Sequence, residues 1–210
     1  MHIPDGFLDT KTWVALAAVS GVSVARAVRK TNQKLGEKQV PLMGVLAAFV
    51  FAAQMLNFPV AGGTSGHFMG ALLIAVLLGP ASSILIMTVI LTLQAVIFQD
   101  GGILALGANI FNMGLVGGAG GYGVFLLLRR WLGENRRLLA TGAAAWLAIV
   151  MAAAAAALEL AFSRTVPLNI VLPAMLGVHA LIGIGEALVS MAVISLLERV
   201  RPDLLELEKI

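Results

Sequence analysis

Long apolar runs alternate with short polar ones along this chain. Stretches long enough to cross a bilayer fall at residues 12–28, 41–57, 66–78, 81–98, 104–128, 138–162 and 173–197. They predict an all-α integral membrane protein: one domain spanning residues 1–210, built as a compact bundle of seven transmembrane helices. The third run is short and meets the fourth at Gly79-Pro80, a helix stop followed by a helix start. Before it lies Asn57-Phe58-Pro59-Val60-Ala61-Gly62-Gly63-Thr64-Ser65-Gly66, read as a glycine-rich loop, so that His67 opens the third span. No internal repeat is evident. The loops expected on the inner side run to roughly ten residues or fewer, too little for a cytoplasmic catalytic domain.

Basic residues orient the bundle. With the N-terminus outside, the inner segments hold Arg26, Arg29, Lys30, Lys34 and Lys38, then Arg129, Arg130, Arg136 and Arg137, then Arg199, Arg201 and Lys209. The outer segments hold Lys11 and Arg164, so the count is twelve against two. Such a bias predicts an extracytoplasmic N-terminus and a cytoplasmic C-terminus in the cell membrane.

Composition agrees. Hydrophobic residues make up 60% of the chain and charged ones 12%, half the share of a soluble domain. The 23 glycines and the alanine run at 152–157 favour close helix packing. The chain has no cysteine, which excludes disulfides, thiolate metal sites and thiol catalysis. The net charge of +3 reports orientation rather than nucleic-acid binding.

The chemistry concentrates at Met1-His2. The Met1 amine, the His2 amide nitrogen once deprotonated, and His2 Nδ1 can close a five- and a six-membered ring on one ion. Three coplanar nitrogens suit a metal of square-planar preference, Ni²⁺ or Cu²⁺. Termini commonly fray, but Ile3, Phe7 and Leu8 are apolar and Pro4-Asp5-Gly6 is turn-forming, so the segment is expected to tuck into the outer mouth of the bundle. The first ten residues hold no basic n-region, so no signal peptide is expected and the amine should stay free.

The three histidines, His2, His67 and His179, all fall toward the outer face on this topology. His67 is the natural fourth ligand, since a glycine-rich loop lets backbone approach closely. His179 and Glu186 share one face of the seventh span and read as a polar clamp that orients ligands, because ionisable groups within a span are expensive. Gln94, Asp100, Asn109 and Asn112 form a further polar set. Asp100 sits in an outside turn and could be merely solvated, whereas Asn109 and Asn112 need buried partners. Glu159 is expected to snorkel to the surface. Nitrogen donors without thiolates or a carboxylate cluster favour nickel, cobalt, copper or zinc over magnesium or calcium.

The stretches Met1–Leu8 (MHIPDGFL), 57–70 (NFPVAGGTSGHFMG), 99–113 (QDGGILALGANIFNM) and 177–189 (GVHALIGIGEALV) resemble the NikM/CbiM family. These are the substrate-binding S components of energy-coupling factor (ECF) transporters, ABC-type systems for nickel and cobalt. The resemblance covers essentially the whole chain. It implies a six-helix S-component core extended by one N-terminal helix, and metal ligands at Met1, His2 and His67. Ser65, Asn109, Asn112, His179 and Glu186 are expected to support them. It also implies partners: a transmembrane coupling subunit (T component), two cytoplasmic ATPase subunits and a small additional membrane subunit. Gly44, Ala48 and Ala52 on the second span form a possible docking face for the coupling subunit, with Ala17 and Gly21 as a competing stripe. Cobalt-type members often begin with a cleavable signal peptide and then Met-His-Ile-Met-Glu-Gly. Pro4-Asp5 here resembles the nickel type, so Ni²⁺ is the expected transported substrate and Co²⁺ the alternative.

Readings of another class fit less well. Ser65-Gly66-His67 places a hydroxyl near an imidazole, but no acid or oxyanion arrangement accompanies it. No paired histidines suit a haem. A stand-alone carrier would show inverted repeats or ionisable groups through the membrane depth.

Overall fold

The computed structural model describes residues 1–37, 39–60 and 64–205. Lys38, Lys209 and the 61–63 tip of the glycine-rich segment, all used in the sequence reading, lie outside the described residues. Helix α1 spans Thr10–Lys34 and opens on an Asp9 cap, whose carboxylate accepts from the backbone of Lys11 at 2.9 Å and Thr12 at 3.2 Å. Then follow α2 (Gln39–Gln54), strands β1 (Asn57–Val60) and β2 (Thr64–His67), α3 (Ala71–Leu78) and α4 (Pro80–Ile97). Helix α5 (Leu106–Ile110) runs through a π-helical stretch, Phe111–Gly120, into α6 (Gly121–Leu132). Helices α7 (Arg137–Phe162) and α8 (Leu168–Val200) complete the bundle.

Among the described residues, five helical segments are long and apolar enough to span a membrane: α1, α4, Leu106–Leu132, α7 and α8. The second run is the shorter helix α2, of 16 residues. The third run differs from expectation. It contains only eight helical residues, all buried, and His67 ends β2 rather than opening a helix. The preceding loop is an antiparallel hairpin with Asn57 opposite His67 and Val60 opposite Thr64. A segment this rich in glycine and proline makes a poor helix, and pairing with itself satisfies backbone groups that lipid would leave stranded.

The break between β2 and α3 is satisfied from outside. The amides of Met69 and Gly70 both donate to the Glu186 carboxylate at 2.7 Å, and the Met69 carbonyl accepts from Gln54 Nε2 at 2.7 Å. Gly70 itself has φ +72°, the left-handed region that favours glycine. Non-helical backbone within a membrane bundle needs such buried partners. The largest helix interface joins α7 and α8. There the Trp146 indole donates to the Ala180 carbonyl at 2.9 Å and Gly183 lies against Trp146 and Ile149, while an alanine face of α7 (Ala144, Ala145, Ala148, Ala152, Ala156) is fully buried, with Ala148 against Gly121 of α6. Small side chains let the helices approach, so dispersion holds them where no hydrophobic drive exists. Leu181, Ile184 and Leu188 of α8 and Val89 and Val96 of α4 point outward, as lipid-facing positions do.

Candidate metal centre

The N-terminal segment is held inside the bundle. Met1 and Ile3 are fully buried and His2 is 3% exposed. Asn109 grips the Ile3 peptide at both ends, accepting from its amide at 2.9 Å and donating to its carbonyl at 3.1 Å. The same carbonyl accepts from Gly102 N at 2.9 Å. Asp5 accepts from the amides of Ile103, Leu104 and Ala105 at 3.1, 2.8 and 3.2 Å, so the Pro4-Asp5-Gly6 turn is docked on the segment leading into α5. Thr165 donates to the Phe7 carbonyl. At Gly101, φ +92°, a Cβ would meet Asn109 Nδ2 at 3.1 Å and His2 Cβ at 3.4 Å, so this turn passes close beneath His2.

Three nitrogens of this segment converge on one atom. Ser65 Oγ lies 3.2 Å from the Met1 amine, 3.3 Å from the His2 amide nitrogen and 3.4 Å from His2 Nδ1. The amine also donates to the Ser65 carbonyl. The His67 ring stacks on that of His2, with centroids 4.6 Å apart and planes 20° apart. Burial pushes the Met1 amine from 8.0 down to about 4, against the pull of the Asp100 charge. Burial likewise lowers His2, opposed next by the facing Asp100 carboxylate, which favours the charged ring. These nitrogens are therefore neutral near pH 7, with lone pairs free to bind a cation. Asp100 Oδ1 stands 3.2 Å from His2 Nδ1, and that contact foremost lowers the carboxyl, so Asp100 is part of the site and carries its negative charge.

Hydrogen bonds show which lone pairs are available. His67 Nδ1 faces the Phe68 carbonyl at 2.7 Å and must donate there, which leaves Nε2 unprotonated in the neutral ring; that atom is buried without a hydrogen-bond partner among the described residues. Among the described residues, no cluster of three or more His, Cys, Asp or Glu side chains could hold a metal. Here two of the donors would be main-chain nitrogens. An open cavity of about 480 Å³, lined by His2, Pro4, Asp5, Ser65, Asp100 and Gly101 among others, leads to this point.

The other expected residues separate. Ser65 and Asn109 touch the Met1–Ile3 segment directly. Glu186 binds the backbone just after His67, and His179 donates from Nδ1 to the Met175 carbonyl at 2.7 Å within its own helix. Asn112 lies elsewhere and donates to Glu159 at 2.7 Å. Glu159 does not snorkel: it is 6% exposed, because Asn112 gives it a partner inside the bundle. Gly44, Ala48 and Ala52 are exposed along α2, whereas Ala17 of the competing stripe packs on Gly107. The sequence reading missed Gln54, which is fully buried against Gln94 and Met69; only its polarity near the end of an apolar run marked it.

Comparison with known proteins places the chain in a family. The family described as the cobalt uptake substrate-specific transmembrane region, CbiM, matches residues 2–204. A metal transport protein of Haloquadratum walsbyi is 42% identical over 97% of this chain and 93% of its own length. The fused nickel transport protein NikMN of Rhodobacter capsulatus is 35% identical over 98% of this chain and 64% of its own. The cobalt transport protein CbiM of Streptomyces coelicolor is 37% identical over 62% of this chain and 57% of its own. A crystal structure of a transition metal transporter superposes with a TM-score of 0.88 at 36% identity, covering 95% of this chain and 93% of that one. A crystal structure of a truncated transition metal transporter gives 0.87 at 36% identity, covering 94% of this chain and 99% of that one. The chain is thus a multi-pass membrane protein that belongs to the CbiM family of nickel and cobalt transport proteins.

Proposed function

We propose that this chain is the substrate-binding S component of an ECF-type transporter. It takes up Ni²⁺ through four nitrogens: the Met1 amine, the His2 amide nitrogen, His2 Nδ1 and His67 Nε2. The convergence of the first three on Ser65 Oγ carries this reading. Ser65 Oγ is within hydrogen-bond reach of all three nitrogens. Its hydroxyl holds the donors together until the ion replaces their hydrogen bonds.

An amide nitrogen binds only after losing its proton, which Ni²⁺ promotes better than Co²⁺. Copper would bind the same donors more tightly, so selectivity against it rests on availability. Cobalt uptake is the second reading, favoured by the matching family's description. ATP hydrolysis belongs to two separate ATPase subunits, reached through a coupling subunit, with a small additional membrane subunit alongside. The exposed Gly44, Ala48 and Ala52 face of α2 supports docking there: a Cβ on Gly44 would meet nothing within 4 Å.

In this reading the N-terminus is extracytoplasmic and the chain crosses seven times. Beside the Gly79-Pro80 turn, Ala81 of α4 packs on Ala27 of α1, near the arginine- and lysine-rich end of that helix. The hairpin meets Met1 and His2 at the opposite end. The third crossing is thus shared between β2, at about 3.3 Å per residue, and α3, at about 1.5 Å per residue.

Acetylating the Met1 amine alters no side chain but removes the terminal nitrogen donor. The purified protein should then lose its bound nickel and the planar-site absorption. Unchanged nickel binding and spectrum would overturn the chelate. Competition between Ni²⁺ and Co²⁺ on the native chain separates the two cargo readings.

A further inference from the structure

Behind His2 runs a buried line of amides. His2 Nε2 lies 3.0 Å from Gln94 Oε1, Gln94 Nε2 donates to Gln54 Oε1 at 3.1 Å, and Gln54 Nε2 donates to the Met69 carbonyl at 2.7 Å. All three side chains are buried, both glutamines completely.

The direction of this line does not depend on how the amide ends are named. A backbone carbonyl only accepts, so Gln54 must turn its NH₂ to Met69. Its oxygen then faces Gln94, which must answer with its own NH₂. The Gln94 oxygen is left facing His2 Nε2, and that nitrogen must carry the proton. In the neutral ring Nδ1 is then the bare nitrogen, the one that closes a six-membered ring with the His2 amide.

The outcome is not automatic. On the other side of the ring, Asp100 Oδ1 lies 3.2 Å from Nδ1, and an ionised carboxylate also only accepts. A neutral imidazole with an acceptor at each nitrogen has one proton to place, and Asp100 alone would hold it on Nδ1. His67 and His179 both have that form, each donating from Nδ1 to a backbone carbonyl at 2.7 Å.

We propose that Gln54 and Gln94 are positioning residues for metal capture: anchored on the Met69 carbonyl, they hold the His2 proton on Nε2 against Asp100 and so keep Nδ1 open. The Met69 carbonyl belongs to the break between β2 and α3, whose neighbouring amides Glu186 fixes. The backbone that ends the His67 strand therefore also sets the His2 tautomer. Partners that orient a ligating imidazole commonly change metal affinity by about 10–100-fold. This inference rests on the four-nitrogen reading for its consequence, but its tautomer claim is measured without metal.

The chain has three histidines, so selective ¹⁵N-histidine labelling of the metal-free protein yields three resolvable rings. Wild type should show two Nδ1–H rings and one Nε2–H ring, the last assigned to His2. Gln94→Met removes the acceptor at nearly constant volume and should turn His2 into a third Nδ1–H ring, with nickel affinity about 10–100-fold lower. Gln94→Glu keeps an acceptor toward His2 and should retain the Nε2–H ring and bind more tightly than Gln94→Met. A merely space-filling role predicts the reverse order, since Glu buries a charge where Met does not. Gln54→Met, remote from every proposed donor, should act like Gln94→Met by freeing the Gln94 amide to turn round. The proposal is overturned by an Nδ1–H His2 in wild type, or by Gln94→Met and Gln54→Met retaining both tautomer and affinity. Absence of nickel binding in wild type with the expected tautomer pattern would instead refute the metal site and leave the relay standing.

Discussion

Removing the Asn109 side chain should weaken metal binding without touching a donor. Asn109 makes two hydrogen bonds to the Ile3 peptide, at 2.9 and 3.1 Å, and is itself 2% exposed. In Asn109→Ala the Ile3 carbonyl keeps its bond from Gly102, so only the Ile3 amide is left buried and unpaired. Stranding that donor costs about 1–3 kcal/mol, and losing the second bond about another 1 kcal/mol. The docked state of the Met1–Leu8 segment is therefore destabilised by about 2–4 kcal/mol. Apparent affinity falls by the fraction of molecules still docked, so it falls about 10-fold where this loss exceeds the docking free energy by about 1.4 kcal/mol. Hydrogen exchange at the Ile3 amide reads docking directly, and calorimetric titration with Ni²⁺ reads affinity. Full protection of Ile3 in Asn109→Ala would refute the tether. Weakened nickel binding with Ile3 still protected would refute the link between tether and affinity.

Three further outcomes follow from the same structure. Glu186→Gln can accept from only one of the two amides now shared by its carboxylate, and should lower the thermal midpoint through a loss of about 1–3 kcal/mol, checked by scanning calorimetry in detergent. Gly70→Ala places a β-carbon in left-handed backbone, costing about 1–2 kcal/mol. That carbon would also press on Phe68 Cε1 at 2.9 Å, so both stability and nickel affinity should fall. The Met1 amine titrates near 8.0 when free and near 4 when docked, so between those values the undocked state binds more protons. Docking should be strongest above pH 8 and weaken as pH falls toward 4, by at most about 1.4 kcal/mol per pH unit from this group. Aminopeptidase release of Met1 from the metal-free protein, followed across that range, measures it; release independent of pH, after correction for the enzyme's own profile, would refute the buried neutral amine.

Much of the fold was legible in the pattern of apolar runs, because a bilayer dictates helix length almost independently of context. Five of the runs became long helices, and the alanine face of α7 packs as its small residues imply. The third run was misread for a physical reason: hydropathy reports burial, and the strand Thr64–His67 and the short α3 are as buried as a helix would be. The apolar Ile3, Phe7 and Leu8 announced a segment that folds inward, and Met1 and Ile3 are indeed fully buried. Glu159 was misplaced because nothing in its own neighbourhood announces Asn112, 47 residues away.

By itself the sequence determined a membrane-embedded helical protein and a terminus rich in nitrogen donors, since composition and dipeptide chemistry are local properties. Tertiary structure alone decided that Ser65 gathers the Met1-His2 nitrogens, that Asp100 and Gln94 contend for one imidazole proton, and that Gln54 and Glu186 complete the broken backbone beside His67. Apart from Gln54 to Met69, 15 positions apart, each of those contacts joins residues 63 or more positions apart. A buried hydrogen bond has a direction as well as a partner, and direction is set by atoms brought together only when the chain folds.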